Sequence, residues 1–429
     1  MVTQLNTPDQ PPADSFPLDA QAVSNPTRWQ RTFAALKYPN YRLWFQGQLV
    51  SLFGTWMQMT AQGFLVFELT HSPKYLGYVG FASGAPTWLL TLYGGVVADR
   101  VSRRTLMTIT QSVMMVLAFV LAALTYLHIV QPWHIIALAF CLGVANSFDA
   151  PARQAFVSEM VPREDLTNAI ALNSTMFHSA TAVGPAAAGL AYALFGPGMC
   201  FTINGVSFIA VIVALQMMKL RPWVPPPRSK SVVSELKEGL RYVASQPIVR
   251  VLIASVAVTS MLALSLTTLV PAWAVKVLGG NAATNGFLLS ARGAGSLAGA
   301  LLIASLGRIS YRGRLVMLGA VTYPILLFVF AFIRWLPLSL LILAGAGVGM
   351  IFVMNLANAI VQTSVPDQLR GRVMGSYTWI FFGFMPLGAL WVGTVAEHLG
   401  EPEAVMLNAV LAFAFAVSVW FLFPRLRDV

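Results

Sequence analysis

Twelve separate apolar runs, each long enough to cross a lipid bilayer, lie between residues 42 and 424, and no other feature constrains the fold so strongly. A spanning helix needs about 20 predominantly apolar residues. The runs cover roughly 42–67, 75–98, 105–128, 133–153, 168–194, 198–218, 248–275, 284–306, 314–334, 337–361, 372–396 and 403–423. They are continuous rather than alternating at every second residue, which argues against a lipid-embedded β-barrel. The predicted fold class is an all-α membrane protein. With 57% hydrophobic and only 10% charged residues, a chain of 429 residues lacks the charge that a soluble globule of this size would need.

The net charge of +11 is topological. Sorted by the predicted spans, 23 of the 27 Lys and Arg residues fall on one side; only Lys74, Lys276 and Arg334 fall opposite, and Arg292 lies inside a span. The side rich in Lys and Arg is cytoplasmic by the positive-inside rule, so both termini are expected inside and the number of spans is even. No nucleic-acid partner is expected. Cys141 and Cys200 sit in apolar runs without metal-type spacing, so neither a disulfide framework nor a metal site is expected. Residues 1–27 are polar and Pro-containing without an apolar signal core, which predicts a disordered cytoplasmic tail.

The chain also repeats itself. Pro39 and Arg42 correspond to Pro247 and Arg250, and Arg100, Val101, Ser102 and Arg104 to Arg308, Ile309, Ser310 and Arg312, both at an offset of 208. Further on, Gly143, Val157, Val161, Pro162, Gly184, Gly189 and Gly196 correspond to Gly347, Val361, Val365, Pro366, Gly388, Gly393 and Gly400 at an offset of 204. A shift of six spans keeps orientation, so the repeats are expected to be parallel and related by an axis along the membrane normal. The predicted divisions are the tail at 1–27, one six-helix half at 28–220, a cytoplasmic linker at 221–246 and a second half at 247–429. Within the linker, the charged stretch 234–243 reads as an amphipathic surface helix.

After the second span, Gly95, Asp99, Arg100, Arg103 and Arg104 fit every fixed position of G-x-x-x-D-R-x-x-R-R, the signature of the major facilitator superfamily, which the chain resembles. One carboxylate among guanidiniums can form charge-assisted bonds to neighbouring helix ends and hold one state of a gate. The plainer alternative is a topological anchor, although Asp99 has no use in charge-based orientation. The second-half copy has Gly307 in place of Asp99. The fifth span carries Gly184, Pro185 and Gly189 in a segment that looks like the G-P-x-x-G-G motif of the superfamily's drug and proton antiporters, with Ala188 replacing one glycine. Small residues there also suit ordinary helix packing. The stretch from Asp149 to Gln154 is similar to a segment of the branch containing enterobactin exporters and macrolide-efflux proteins.

The resemblance implies the major facilitator fold, with spans one, four, seven and ten lining a central cavity. Polar residues recur on these spans: Gln48, Ser51, Thr55, Gln58 and Gln62 share one face of the first, with Asn146 and Asp149, Ser255 and Thr259, and Asn355, Asn358 and Gln362 on the others. Cavity lining competes here with interhelical hydrogen bonding. Arg292, in mid-span, costs about 2.5–3.5 kcal/mol on insertion scales and needs a partner, either helix carbonyls or an anionic or carbonyl-rich solute. For proton coupling, itself implied by the resemblance, the candidates are Asp149, which could instead pair with Arg153, and His178, which could be structural. No phosphate loop for ATP is present, no enzymatic chemistry is expected, and no cofactor is implied. The expected function is export of a small amphipathic solute, a drug-like compound or a siderophore, by a monomer in the cell's inner membrane. Metabolite uptake and a non-transporting sensor are the alternatives.

Overall fold

The computed structural model describes residues 32–220, 232–306 and 311–428. The predicted tail, the Pro-rich start of the linker, and Gly307, Arg308, Ile309 and Ser310 of the second-half motif lie outside these residues. After a short 3₁₀ turn at Ala34–Lys37, the helices are α1 (Pro39–Thr70), α2 (Pro73–Arg100), α3 (Arg103–Tyr126), α4 (Pro132–Met160), α5 (Leu166–Phe195) and α6 (Pro197–Met217). Then come α7 (Val232–Ser245), α8 (Pro247–Val277), α9 (Ala282–Ser305), α10 (Arg312–Phe330), α11 (Leu336–Ser364), α12 (Asp367–Leu399) and α13 (Glu401–Leu422).

Local chemistry sets the boundaries. Proline opens α1, α2, α4, α6 and α8, where its missing N–H costs nothing. Gly196 and Gly400 end α5 and α12 at φ +79° and +101°, a region where a Cβ would be strained. The fourth helix continues seven residues beyond the predicted 153, through Pro151, because Ala152, Phe156 and Val157 bury completely against their neighbours. The amphipathic stretch forms α7, which lies on α12 with Glu238 and Arg372 paired at 2.5 Å.

Among the described residues, nine helices (α3, α4, α6 and α8 to α13) are long and apolar enough to cross a membrane. Helices α1, α2 and α5 match them in length but carry glycines and polar side chains. Outward faces are apolar: on α3, Ile109, Val113, Val116 and Val120 are exposed at helical spacing, the pattern of a helix solvated by lipid.

Helices α1 to α6 pack around Trp44, Met107, Phe156 and Leu215, while α8 to α13 pack around Trp273, Phe330, Leu252 and Val361. Two crossings join the groups. In one, a Cβ added at Gly189 of α5 would fall 3.1 Å from Gly286 Cα of α9; in the other, a Cβ at Gly393 of α12 would fall 3.0 Å from Gly77 Cα of α2. Both run from the end of the bundle bearing Gly196 and Gly400 to about mid-height, reaching Thr181 against Gly293 and Trp88 against Gly383. The end at which α1 begins, rich in Lys and Arg, is here called the basic end.

Helix α8 is irregular. Two π-helical turns, Thr259–Leu264 and Trp273–Val277, flank a regular segment. Side chains meet carbonyls of the first: Tyr323 Oη donates to Ala263 O at 2.8 Å, and Asn408 Nδ2 to Leu262 O at 3.1 Å.

Candidate functional site

The signature after α2 forms a clamp on the basic end. Arg103 Nη1 meets Glu159 Oε1 near the end of α4 at 2.6 Å, and its other nitrogen lies 3.5 Å from Asp99. Arg104 donates to the carbonyls of Gln216 and Met218, 2.9 and 3.4 Å away, capping the C-terminus of α6. Two guanidiniums thus tie the start of α3 to two other helix ends by charge-assisted bonds. The side chain of Asp99 remains 64% exposed, and Arg100 is exposed beside it. Gly95 has open space where a Cβ would be. No local motif in the sequence marks Glu159, a carboxylate 56 residues from its partner.

Asp165 anchors the segment before α1. It accepts from Lys37 Nζ and Tyr38 Oη, each at 2.7 Å. Hydrogen bonds from Lys37 first, then Tyr38, hold its carboxyl below the ordinary value of 3.8, and the same carboxylate raises Lys37 above 10.5.

The polar stripe of α1 is largely buried. Gln48, Ser51, Gln58 and Gln62 are inside and Thr55 is half-buried. Gln58 Oε1 accepts from Asn204 Nδ2 of α6 at 2.7 Å, so this amide bonds a neighbouring helix. Asn204, the one amide in the middle of a largely apolar run, could have been found by that contrast. By comparison Asn146 on α4 and Asn355 and Gln362 on α11 are exposed, and Gln362 Nε2 donates to Asn358 Oδ1 at 2.5 Å. Ser255 and Thr259 border a small cavity between α8, α10, α11 and α13, with Tyr323 on its wall.

Asp149 is 1% exposed. One oxygen accepts from Thr110 Oγ1 at 2.9 Å and Gln111 Nε2 at 3.0 Å, both on α3; the other lies 3.9 Å from Arg153. His178 is half-buried, edge-on to Phe177. Arg292 is 8% exposed and makes no ion pair among the described residues. Its Nη1 donates to Met350 Sδ of α11 at 3.6 Å, and its Nε is buried without a partner.

At the crossings, Gly189 and Pro185 of the antiporter-like motif pack directly on α9, Gly184 packs on Trp56, and Ala186 N–H donates to Ser290 Oγ at 2.8 Å. At the end opposite the basic one, Ser72 Oγ of the α1–α2 connection donates to Glu397 Oε2 of α12 at 2.7 Å, and Lys276 of α8 pairs with Glu401 at 2.9 Å. The sequence places Glu397 near a helix end but gives it no partner, since the contact joins residues 325 positions apart.

This architecture has relatives. The family described as transmembrane secretion effector matches residues 30–428. The chain is 26% identical to the multidrug efflux pump Tap of Mycolicibacterium fortuitum over 87% of its own length and 93% of the relative's. It is 23% identical to the staphyloferrin A transporter of Staphylococcus aureus over 90% and 97%, and 20% identical to macrolide efflux protein A of Streptococcus pyogenes over 89% and 96%. Its fold is that of a bacterial homologue of the human lysosomal transporter Spinster, solved inward-facing and unoccupied, with a TM-score of 0.71 at 12% identity over 91% of this chain and 98% of that one. The nucleoside transporter NupG gives 0.67 at 14% identity over 90% and 98%. The chain belongs to the transmembrane secretion effector family of the major facilitator superfamily and is a multi-pass membrane transporter of a small molecule, not an enzyme.

Proposed function

We propose that this member of the secretion effector family exports a small amphipathic organic solute, a drug-like compound or a siderophore, by proton-coupled alternating access. Twelve spanning helices form two parallel six-helix halves at 28–220 and 247–429, joined by the cytoplasmic linker 221–246, with the cytoplasmic tail at 1–27. Pairing of Gly189 with Gly393 and of Gly196 with Gly400 supports the duplication: the first two sit at the two crossings, and the second two end α5 and α12 at positive φ. Both termini lie in the cytoplasm, the membrane is the inner membrane, and the protein works as a monomer.

One observation carries the reading. The halves are sealed over the half of the bundle remote from the basic end, while polar residues of α4 and α11 stand exposed. With the basic end cytoplasmic, this is the state in which an exporter loads. Thr55, Asn146, Asn355, Asn358 and Gln362 line the cavity, with Gln48, Ser51, Gln58 and Gln62 behind them. Asp99, solvent-facing here, bonds a helix end of the opposite half when the basic end closes, and Gly95 leaves room for that approach. Asp149 and His178 are the groups through which a proton couples to the cycle.

Two of the relatives named above are efflux proteins, for multiple drugs and for macrolides, which favours export over uptake, and a third transports staphyloferrin A. Cells lacking the gene are expected to accumulate more than the parent of at least one solute in a panel of cationic, neutral and acidic amphipathic compounds; lower accumulation would mean uptake. Proteoliposomes under an imposed pH gradient are expected to show flux that Asp99→Asn reduces without lowering membrane insertion. No flux over a broad panel would leave a sensor.

A further inference from the structure

Arg292 is the buried cation that the export reading does not use. A guanidinium presents five N–H donors in a fixed fork and is always charged. Here it offers one of them to a thioether at 3.6 Å, a weak acceptor, and leaves Nε unpaired. In a bundle surrounded by hydrocarbon this is costly, and charged groups kept at such cost mark solute paths. Helix carbonyls do not satisfy it: Arg292 O itself accepts from Ser296 Oγ at 3.0 Å, but no carbonyl is bonded to the guanidinium among the described residues.

The surroundings are equally unfinished. Asn285 lies seven residues earlier on the same face of α9, fully buried, with neither amide atom paired. At 1.5 Å per residue the two sit about 10 Å apart along the axis. Met350, which covers the guanidinium, is one turn from Val353 on the wall of the small cavity bordered by Ser255, Thr259 and Tyr323. A methionine has three rotatable bonds and no directional hold, so it can swing aside without breaking a strong bond.

We propose that Arg292 is an anion-recognition site and that the exported solute carries a carboxylate. The carboxylate displaces Met350 Sδ and takes the two-pronged pairing that the fork geometry favours, while a second polar group of the solute reaches Asn285. This rests on the transport reading above and narrows its substrate class from amphipathic solutes in general to amphipathic organic acids.

The test uses the full chain in lipid nanodiscs, with decanoate, naphthylacetate and citrate each measured against its methyl ester by tryptophan fluorescence. The expected result is binding of at least one acid about tenfold or more tighter than its ester, with the preference lost in Arg292→Met and partly kept in Arg292→Lys. Met350→Ala is expected to tighten acid binding. The absence of any acid-over-ester preference in the unmodified protein overturns the proposal, as does a preference that survives in Arg292→Met. If Arg292→Met misfolds, Arg292→Lys and Met350→Ala decide alone: unchanged acid affinity in both overturns it. Failure here leaves export standing, because export is judged by accumulation in cells over cationic and neutral as well as acidic solutes, which needs no carboxylate.

Discussion

Asp149 in α4 and Arg292 in α9 are both buried charges, and their surroundings differ in kind. Asp149 is wired: two donors from α3 reach one oxygen, and Arg153 lies near the other. Arg292 has a sulfur and an unpaired nitrogen. A buried ion with its partners in place is held firmly in the resting molecule, whereas one without them is strained there and has something to gain from a ligand. The comparison gives Asp149 the cohesion of the first half for as long as it stays ionised, and gives recognition to Arg292 in the second half.

The strongest way to break this contrast is to delete each charge. Asp149→Leu leaves Thr110, Gln111 and Arg153 facing an apolar wall and is expected to cost about 3 kcal/mol, read as a fall in the thermal unfolding midpoint of purified protein. Arg292→Met is expected to change stability in the opposite sense, by about 1 kcal/mol, because it removes a desolvated charge and keeps most of the volume. If both variants lose stability alike, the distinction between the two sites fails. A smaller effect sharpens the boundary between buried and surface charge: Arg103→Gln breaks the 2.6 Å pair with Glu159, but both side chains are partly exposed. Water screens the pair, so the loss is expected to be about 0.5 kcal/mol, and the cap made by Arg104 should persist.

The smallest effect is the pH response of the Lys37–Asp165 anchor. Asp165 has a lowered pKa, so its contribution is complete above the ordinary 3.8 and disappears as pH falls through the lowered value. Lys37 has a raised pKa, so its contribution is complete below 10.5 and disappears as pH rises past the raised value. Hydrogen exchange in the Ala34–Lys37 turn is therefore expected to stay flat between those limits after correction for intrinsic rates. A step near neutral pH would mean that another group controls this segment.

The helices themselves were legible because lipid leaves few choices: an apolar run of spanning length forms a helix, since every backbone group must bond internally. Boundaries came close for the same reason, with Pro39, Pro73, Pro132, Pro197 and Pro247 marking starts and Gly196 and Gly400 marking ends. The failures are long-range. Periodicity put Gln58 on a polar face but could not say that this face meets Asn204, and no local pattern joins Ser72 to Glu397 or Arg103 to Glu159. The first π turn of α8 also escaped, because its carbonyls are met by Tyr323 and Asn408 reaching in from α10 and α13.

Those turns make α8 a helix that can rotate in parts. A π turn holds one more residue than the α turn it replaces, so narrowing it by motion, with no residue removed, would twist everything downstream by about 100°. Between the two wide turns sits Pro271, whose ring is the nearest neighbour of Gly63 on α1, 3.6 Å from where a Cβ would stand. Passage of one residue out of the first wide turn would therefore act like a quarter-turn of a key, re-aiming the far end of α8 while leaving Pro247–Val258 seated where it was.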